Sequence, residues 1–212
     1  GPRAVGRLWD RHLLNSAVVD ELVPPGVELV DVGSGAGLPG IPLALARPDL
    51  RVVLLEPMLR RCVFLEEAVT ELGLAARVSV VRGRAPDAVT VMGRGFDVAV
   101  ARAVAPLERL AAMVVPLIRP GGVLLALRGA RAAEELDEVR DDMAGWGVRE
   151  ASVVRCGVGR LTEPTTVLRA VRAQGAVHVD GTVHHAGGTS RAGRRDGEAG
   201  RDKRARGKTR ST

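Results

Sequence analysis

The residues best placed to do chemistry in this 212-residue chain lie in one stretch, Leu29-Val30-Asp31-Val32-Gly33-Ser34-Gly35-Ala36-Gly37-Leu38. An apolar, β-branched run ends on an acid and passes into glycines at every second position. Bare backbone at the end of a strand lets a nucleotide-like ligand approach the main chain, at the N-terminus of the helix that follows. Gly35-Ala36-Gly37-Leu38-Pro39-Gly40 satisfies the dinucleotide pattern G-x-G-x-x-G, but in the wrong register. The first glycine of that pattern leaves the strand directly, and here Gly33 does so; counted from Gly33, the sixth position is Leu38. Asp31-x-Gly33-x-Gly35-x-Gly37 is the better description. A carboxylate beside the loop disfavours pyrophosphate and suits a ligand carrying an ammonium and a sulfonium. The choice therefore tilts from NAD toward S-adenosylmethionine.

Other candidates fall at the ends of later strands. Glu56 closes the second strand, where a carboxylate can accept both ribose hydroxyls of either cofactor. Arg102 follows the fourth strand and can contact guanine O6, a phosphate or a cofactor carboxylate. Arg11 and His12 precede the core on the first helix, and Arg128 follows the fifth strand; these three are candidate substrate contacts. His178, His184 and His185 have no partners at metal-ligand spacing, so no metal site is expected. The chain has no Tyr and no strand-placed His for the proton transfer that accompanies hydride chemistry, which disfavours an NAD-dependent oxidoreductase.

The elements that must position these groups alternate between strand and helix. Apolar spacing predicts an amphipathic helix over Leu8 to Leu22, ended by Pro24-Pro25-Gly26. Strands are predicted at Val27 to Val32, Arg51 to Glu56, Arg77 to Arg82, Phe96 to Ala101 and Val123 to Leu127. Helices are predicted at Gly37 to Arg47, around Met58 to Leu72, from Pro106 to Leu117, and from Arg131 to Gly145. Val148 to Arg155 and Thr165 to Arg172 finish the pattern with no helix between them. Short, solid apolar strands between helices predict a parallel sheet covered on both faces. The result is an α/β, doubly wound, Rossmann-like sheet ending in an antiparallel hairpin, with an N-terminal helix. Ligands of such sheets lie beyond the carboxyl ends of the strands, at the point where strand order reverses.

Composition sets outer bounds. An apolar share of 46% fills a sizeable core, and no long uncharged apolar run spans a membrane. Cys62 and Cys156 are expected as buried, reduced thiols of a cytoplasmic protein. From Gly175 onward the sequence holds nine Lys/Arg against four acids, so most of the net charge of +6 sits there. This stretch is too poor in large apolar residues to offset its ordering entropy. The expected organisation is an N-terminal helical segment at 1–26, preceded by further residues, a cofactor-binding domain at 27–174, and a disordered basic tail at 175–212. An Arg-rich tail can hold phosphates, or it can simply solubilise the chain.

Together these motifs carry a resemblance. Asp31 to Gly37, the Glu56 strand end and Arg119-Pro120-Gly121-Gly122 look like a class I S-adenosylmethionine-dependent methyltransferase. Leu8-Trp9-Asp10-Arg11-His12-Leu13-Leu14-Asn15-Ser16, Gly37-Leu38-Pro39-Gly40-Ile41-Pro42 and Ala101-Arg102-Ala103 resemble more narrowly the bacterial small-subunit ribosomal RNA methyltransferase G family, also called glucose-inhibited division protein B. The resemblance spans about residues 2 to 172. It implies methylation of N7 of a guanosine in 16S ribosomal RNA, free or in the small ribosomal subunit; a monomer is the expected state. Carried over by position, it places cofactor contacts on Gly33, Leu38, Ala85, Pro86 and Arg102, with Arg102 on the cofactor carboxylate. Arg84-Ala85-Pro86 departs from the family's usual Arg-Ala-Glu, losing a carboxylate and one backbone N–H, although Asp87 can replace the charge. Guanine N7 carries a free lone pair and no proton, so the implied reaction needs alignment and no general base. The absence of a nucleophile or an acid–base pair agrees with it. A methyltransferase of the same fold acting on a small molecule or protein remains the alternative.

Overall fold

The structure is a computed structural model, and it describes residues 9–85, 87–88, 95–102 and 105–174. Seven strands form one sheet: β1 (Glu28–Val32), β2 (Arg51–Glu56), β3 (Val78–Arg82), β4 (Phe96–Arg102), β5 (Ile118–Arg128), β6 (Val148–Cys156) and β7 (Thr165–Arg172). Their spatial order is β3-β2-β1-β4-β5-β7-β6. The first five are parallel, and β7 runs antiparallel to both β5 and β6. This is the doubly wound sheet with an antiparallel end that the element pattern predicts. The hairpin inserts its second strand against β5, so β6 forms the edge.

Alternate strand residues feed two cores. Leu29, Leu54, Val98, Val100 and Leu125 face one side with Ile41, Leu43, Leu65 and Val69. Val30, Leu55, Ala99, Leu124 and Leu168 face the other with Leu107, Leu110, Val114 and Leu136. The period of two in the strands divides them between the faces. The helices supplying the first face are α1 (Gly40–Ala46) and α2 (Leu59–Glu71); the second face is covered by α3 (Leu107–Val114) and α4 (Ala132–Glu138). Burying one Leu in either layer is worth about 1.5–3 kcal/mol. The strands tolerate apolar residues on both sides because both sides are covered.

Several predicted boundaries shift for local reasons. The expected first helix is instead a π turn (Trp9–Leu14), one α turn (Asn15–Ala17) and a 3₁₀ turn (Val18–Leu22). α1 begins at Gly40 and not at Gly37, because Gly37 sits at φ +85°, outside the helical region. β5 starts five residues early, at Ile118, and runs through Arg119-Pro120-Gly121-Gly122. A register irregularity between Phe96 and Val98 and the positive φ of Gly121 (79°) absorb those residues. α4 ends at Glu138, well short of Gly145: its last buried side chain is Leu136, and its last turn carries acids and no base, which is unfavourable to the helix dipole. The basic stretch at 175–212, including the His trio, lies outside the described residues. No helix among the described residues is long and apolar enough to cross a membrane.

Candidate functional site

Strand order reverses between β1 and β4, so the helices after those strands leave on opposite faces and open a crevice. The register puts the candidate residues at one level: Val32 pairs with Leu55 on one side and Ala101 on the other, and Arg102 pairs with Leu127. Gly33, Glu56, Arg102 and Arg128 therefore all stand at the same rim of the sheet.

The glycine loop is held from below by two carboxylates. Gly33 and Ser34 both donate their N–H to Leu55 O, at 2.9 and 3.2 Å. Gly35 N donates to Glu56 Oε2 at 2.9 Å, and Met58 N to Glu56 Oε1 at 3.0 Å. Gly40 N donates to Asp31 Oδ2 at 3.0 Å. Gly33, Gly35 and Gly37 take φ of 74°, 59° and 85°, which an L side chain adopts only at a cost. At Gly37 there is also no room, since a Cβ would stand 2.4 Å from Ile41 Cδ1. At Gly35 it would meet only Gly33 O, at 3.7 Å. Gly37 is a packing glycine, whereas Gly35 leaves its side of the loop open to a ligand. Leu38 is half-buried just before the start of α1.

Asp31 is fully buried and faces Gly40, not solvent. Its Oδ1 has no hydrogen-bond partner among the described residues. Burial pushes its carboxyl up from 3.8 to about 7, the Gly40 N–H and the nearby Ser34 hydroxyl pull it part of the way back, and the Glu56 charge adds to the rise. Sequence reasoning gave Asp31 a purely electrostatic role toward the ligand. Its carboxylate also ties the loop to the start of α1. Glu56 is equally enclosed, 1% exposed, with Arg61 Nη1 at 3.7 Å from Oε2. Each of its oxygens keeps a lone pair for a further donor.

Arg102 and His12, ninety positions apart, meet: Arg102 Nη2 contacts His12 Nδ1. A guanidinium only donates, so Nδ1 is the acceptor in this contact. Burial holds the Arg102 guanidinium below the usual arginine range. The pair joins the N-terminal segment to the end of β4. The same segment is fastened elsewhere by Thr165 Oγ1 donating to Asn15 O at 2.9 Å, and by Glu21 accepting from Gly157 N and Arg160 Nη1, each at 3.1 Å through the nearer oxygen. A cleft of about 500 Å³ lies between them, lined among others by Asn15, Arg102, Arg128, Arg155 and Thr165. Sequence reasoning missed Asn15, Thr165 and Glu21, since no local signal marks contacts across 136 to 150 positions. Ala85 is buried and Pro86 lies outside the described residues, as does the Arg11 side chain. Cys62 and Cys156 are both buried and free.

Solved structures that superpose on this chain include several methyltransferases. A putative rRNA methylase from Clostridium thermocellum superposes with a TM-score of 0.53 at 16% identity, covering 77% of this chain and 96% of that one. A putative O-methyltransferase from Nostoc punctiforme superposes at 0.57 and 12% identity, over 76% and 56%. The fold is thus that of a class I methyltransferase.

Sequence comparison narrows the class. The family model for rRNA small subunit methyltransferase G (GidB) matches residues 1–162, and the chain belongs to that family. Relatives called ribosomal RNA small subunit methyltransferase G include one from Frankia casuarinae, 56% identical over all of this chain and 84% of its own length. Another, from Frankia alni, is 62% identical over 82% of this chain and 66% of its own. A third, from Mycolicibacterium gilvum, is 55% identical over 82% and 76%.

Proposed function

We propose that this protein methylates N7 of a guanosine in 16S ribosomal RNA, using S-adenosylmethionine, as a monomer in the cytoplasm. The observation that carries the reading is Glu56, enclosed at the end of β2 and bonded to Gly35 N beside the open side of the glycine loop. Those residues fit an adenosine-bearing cofactor: Glu56 would take the ribose hydroxyls, Gly33, Gly35 and Leu38 would line the backbone approach, and Ala85 with Pro86 would lie by the adenine. Arg102 would hold the cofactor carboxylate, steadied by His12. When bound, the cofactor supplies an electrophilic methyl on a sulfonium.

The chain's own work is to bind, orient and exclude water. The Asp31–Gly40 and Glu56–Gly35 bonds fix the loop before any ligand arrives. The N-terminal segment, fastened through His12, Asn15 and Glu21, walls the cleft where a base would enter. Orientation of this kind can contribute on the order of 7–11 kcal/mol to a transfer that needs no proton removed from its nucleophile. Gly37 is set apart as packing, and the 175–212 stretch is assigned to non-specific RNA attraction.

The test is chemical cleavage at N7-methylguanosine in 16S RNA from cells with and without the gene, together with calorimetry. Loss of one cleavage site in the deletion strain, and binding of S-adenosylmethionine without NADH, are expected. An unchanged cleavage pattern would overturn the substrate, and NADH binding alone would overturn the cofactor.

A further inference from the structure

Arg128, the last residue of β5, has a side chain only 10% exposed. Its Nη1 stands 3.8 Å from Glu135 Oε2 on α4. Its Nε and Nη2 are buried and have no hydrogen-bond partner among the described residues. In a guanidinium, Nη2 lies trans to Cδ, so Nε–H and Nη2–H project side by side from one edge while Nη1 serves the other. One edge of Arg128 is therefore directed to Glu135, and the opposite edge is an unused fork of two parallel donors. Arg47 and Arg172 do not offer such a pair. Arg47 spends its donors on Asp49 and on the carbonyls of Val23 and Pro24. Arg172 turns Nη1 onto the carbonyls of Pro116 and Ile118. Arg47 is thus satisfied by Asp49 and backbone carbonyls, while Arg172 keeps one donor, its buried Nε, without a partner among the described residues, where Arg128 keeps an adjacent pair.

A buried cation with half its donors idle costs free energy that a bound anion would offset. The fork matches a planar or tetrahedral pair of oxygens: a carboxylate or a phosphate. It could also span O6 and N7 of a guanine, but in this reaction N7 must present its lone pair to the methyl group, and a donor placed there would block it. The cofactor carboxylate already has Arg102. The cleft is not generally basic, since Glu135 and Glu163 line it with Arg102, Arg128 and Arg155. Arg128 enters its lining as a single, nearly enclosed guanidinium and not as part of a diffuse basic field.

We infer that the Nε–Nη2 edge of Arg128 clamps a single phosphodiester of the RNA substrate next to the target nucleotide, while Glu135 holds the guanidinium in plane from the other edge. The inference rests on the RNA-methyltransferase reading and adds to it the position that fixes the substrate backbone. Phosphate contacts set register and orientation without reading sequence, so this clamp would position the base and leave its identity to other groups.

The experiment uses the full chain with 16S RNA and small subunits lacking the modification. Arg128→Gln removes the charge and the fork; Arg128→Lys keeps the charge and loses only the fork. For Arg128→Gln, RNA affinity falls about tenfold or more, and the slope of log affinity against log salt drops by about 0.7, as for one lost contact to a single strand. Arg128→Lys keeps the wild-type slope and binds RNA several-fold more weakly. The S-adenosylmethionine Kd is unchanged in both. An unchanged RNA affinity and slope in Arg128→Gln overturns the clamp, as does a loss of cofactor affinity that parallels the RNA loss. If Arg128→Gln fails to fold, Arg128→Lys decides: wild-type RNA affinity in that variant overturns the clamp. Should the wild type bind RNA yet leave N7 unmethylated, the proposed function fails, while the slope difference still reads the clamp.

Discussion

Asp31 makes a sharp test because burial outweighs the hydrogen bonds that oppose it. Its carboxyl is fully buried, with one oxygen on Gly40 N and the other without a partner among the described residues. Burial raises it from 3.8 to about 7 in the folded protein. A group whose folded value is raised contributes stability that is complete below its unfolded value and is lost as pH rises through the folded one. Between pH 5 and pH 8 that loss amounts to about 2–3 kcal/mol by proton linkage. Asp31→Asn keeps an oxygen for Gly40 N and cannot ionise, so it lacks this loss. It leaves an amide N–H₂ where Oδ1 stood, a pH-independent cost of about 1–3 kcal/mol. The variant is therefore expected to be less stable than wild type at pH 5, with the gap closing or reversing by pH 8. Urea unfolding at three pH values measures it, and taking the difference between the two proteins cancels the other carboxylates. A gap that stays constant from pH 5 to pH 8 would refute the reasoning. A cationic ligand near Asp31 favours its ionised form, so S-adenosylmethionine should bind more tightly as pH rises through about 7 in the wild type, and not in Asp31→Asn.

Glu56→Gln offers one acceptor oxygen where two amides, Gly35 N and Met58 N, are now satisfied; calorimetry should show S-adenosylmethionine affinity reduced by about ten- to a hundredfold, and an unchanged Kd removes Glu56 from the site. Gly37→Ala forces a Cβ to 2.4 Å from Ile41 Cδ1 at φ +85° and should cost about 2 kcal/mol or more, read as a lowered Tm. Gly73→Ala, at φ +67° with nothing within 4 Å, should cost about 1 kcal/mol and serves as its control. Arg102→Lys loses the planar contact and should weaken S-adenosylmethionine binding while leaving RNA affinity near wild type; a selective rise in RNA KM would reassign Arg102 to the substrate. Removing residues 175–212 should weaken RNA association at low salt without changing cofactor affinity; equal RNA binding by both forms would make that stretch a bystander.

What the sequence by itself determined is what depends on local chemistry. Periodicity placed all seven strands, because solid apolar runs bounded by glycine and proline have few other readings. The register of Gly33, with Asp31 before it and Leu38 after it, set the expectation of S-adenosylmethionine over NAD without coordinates, and the motifs around it led to the family. Boundaries slipped where a single dihedral overrode a pattern, as at Gly37, or where a bulge lengthened β5. What only the tertiary structure decided is which distant groups meet. His12 reaches Arg102 across ninety positions, Asn15 reaches Thr165, and Arg128 keeps one edge for Glu135 and leaves the other without a partner among the described residues. Asp31 and Glu56 prove to be both candidate ligand groups and the struts of the loop itself. The physical reason is that propensity and spacing act within a few residues. A carboxylate's burial and a guanidinium's unsatisfied edge exist only once a sheet has brought separate strand ends to a common rim.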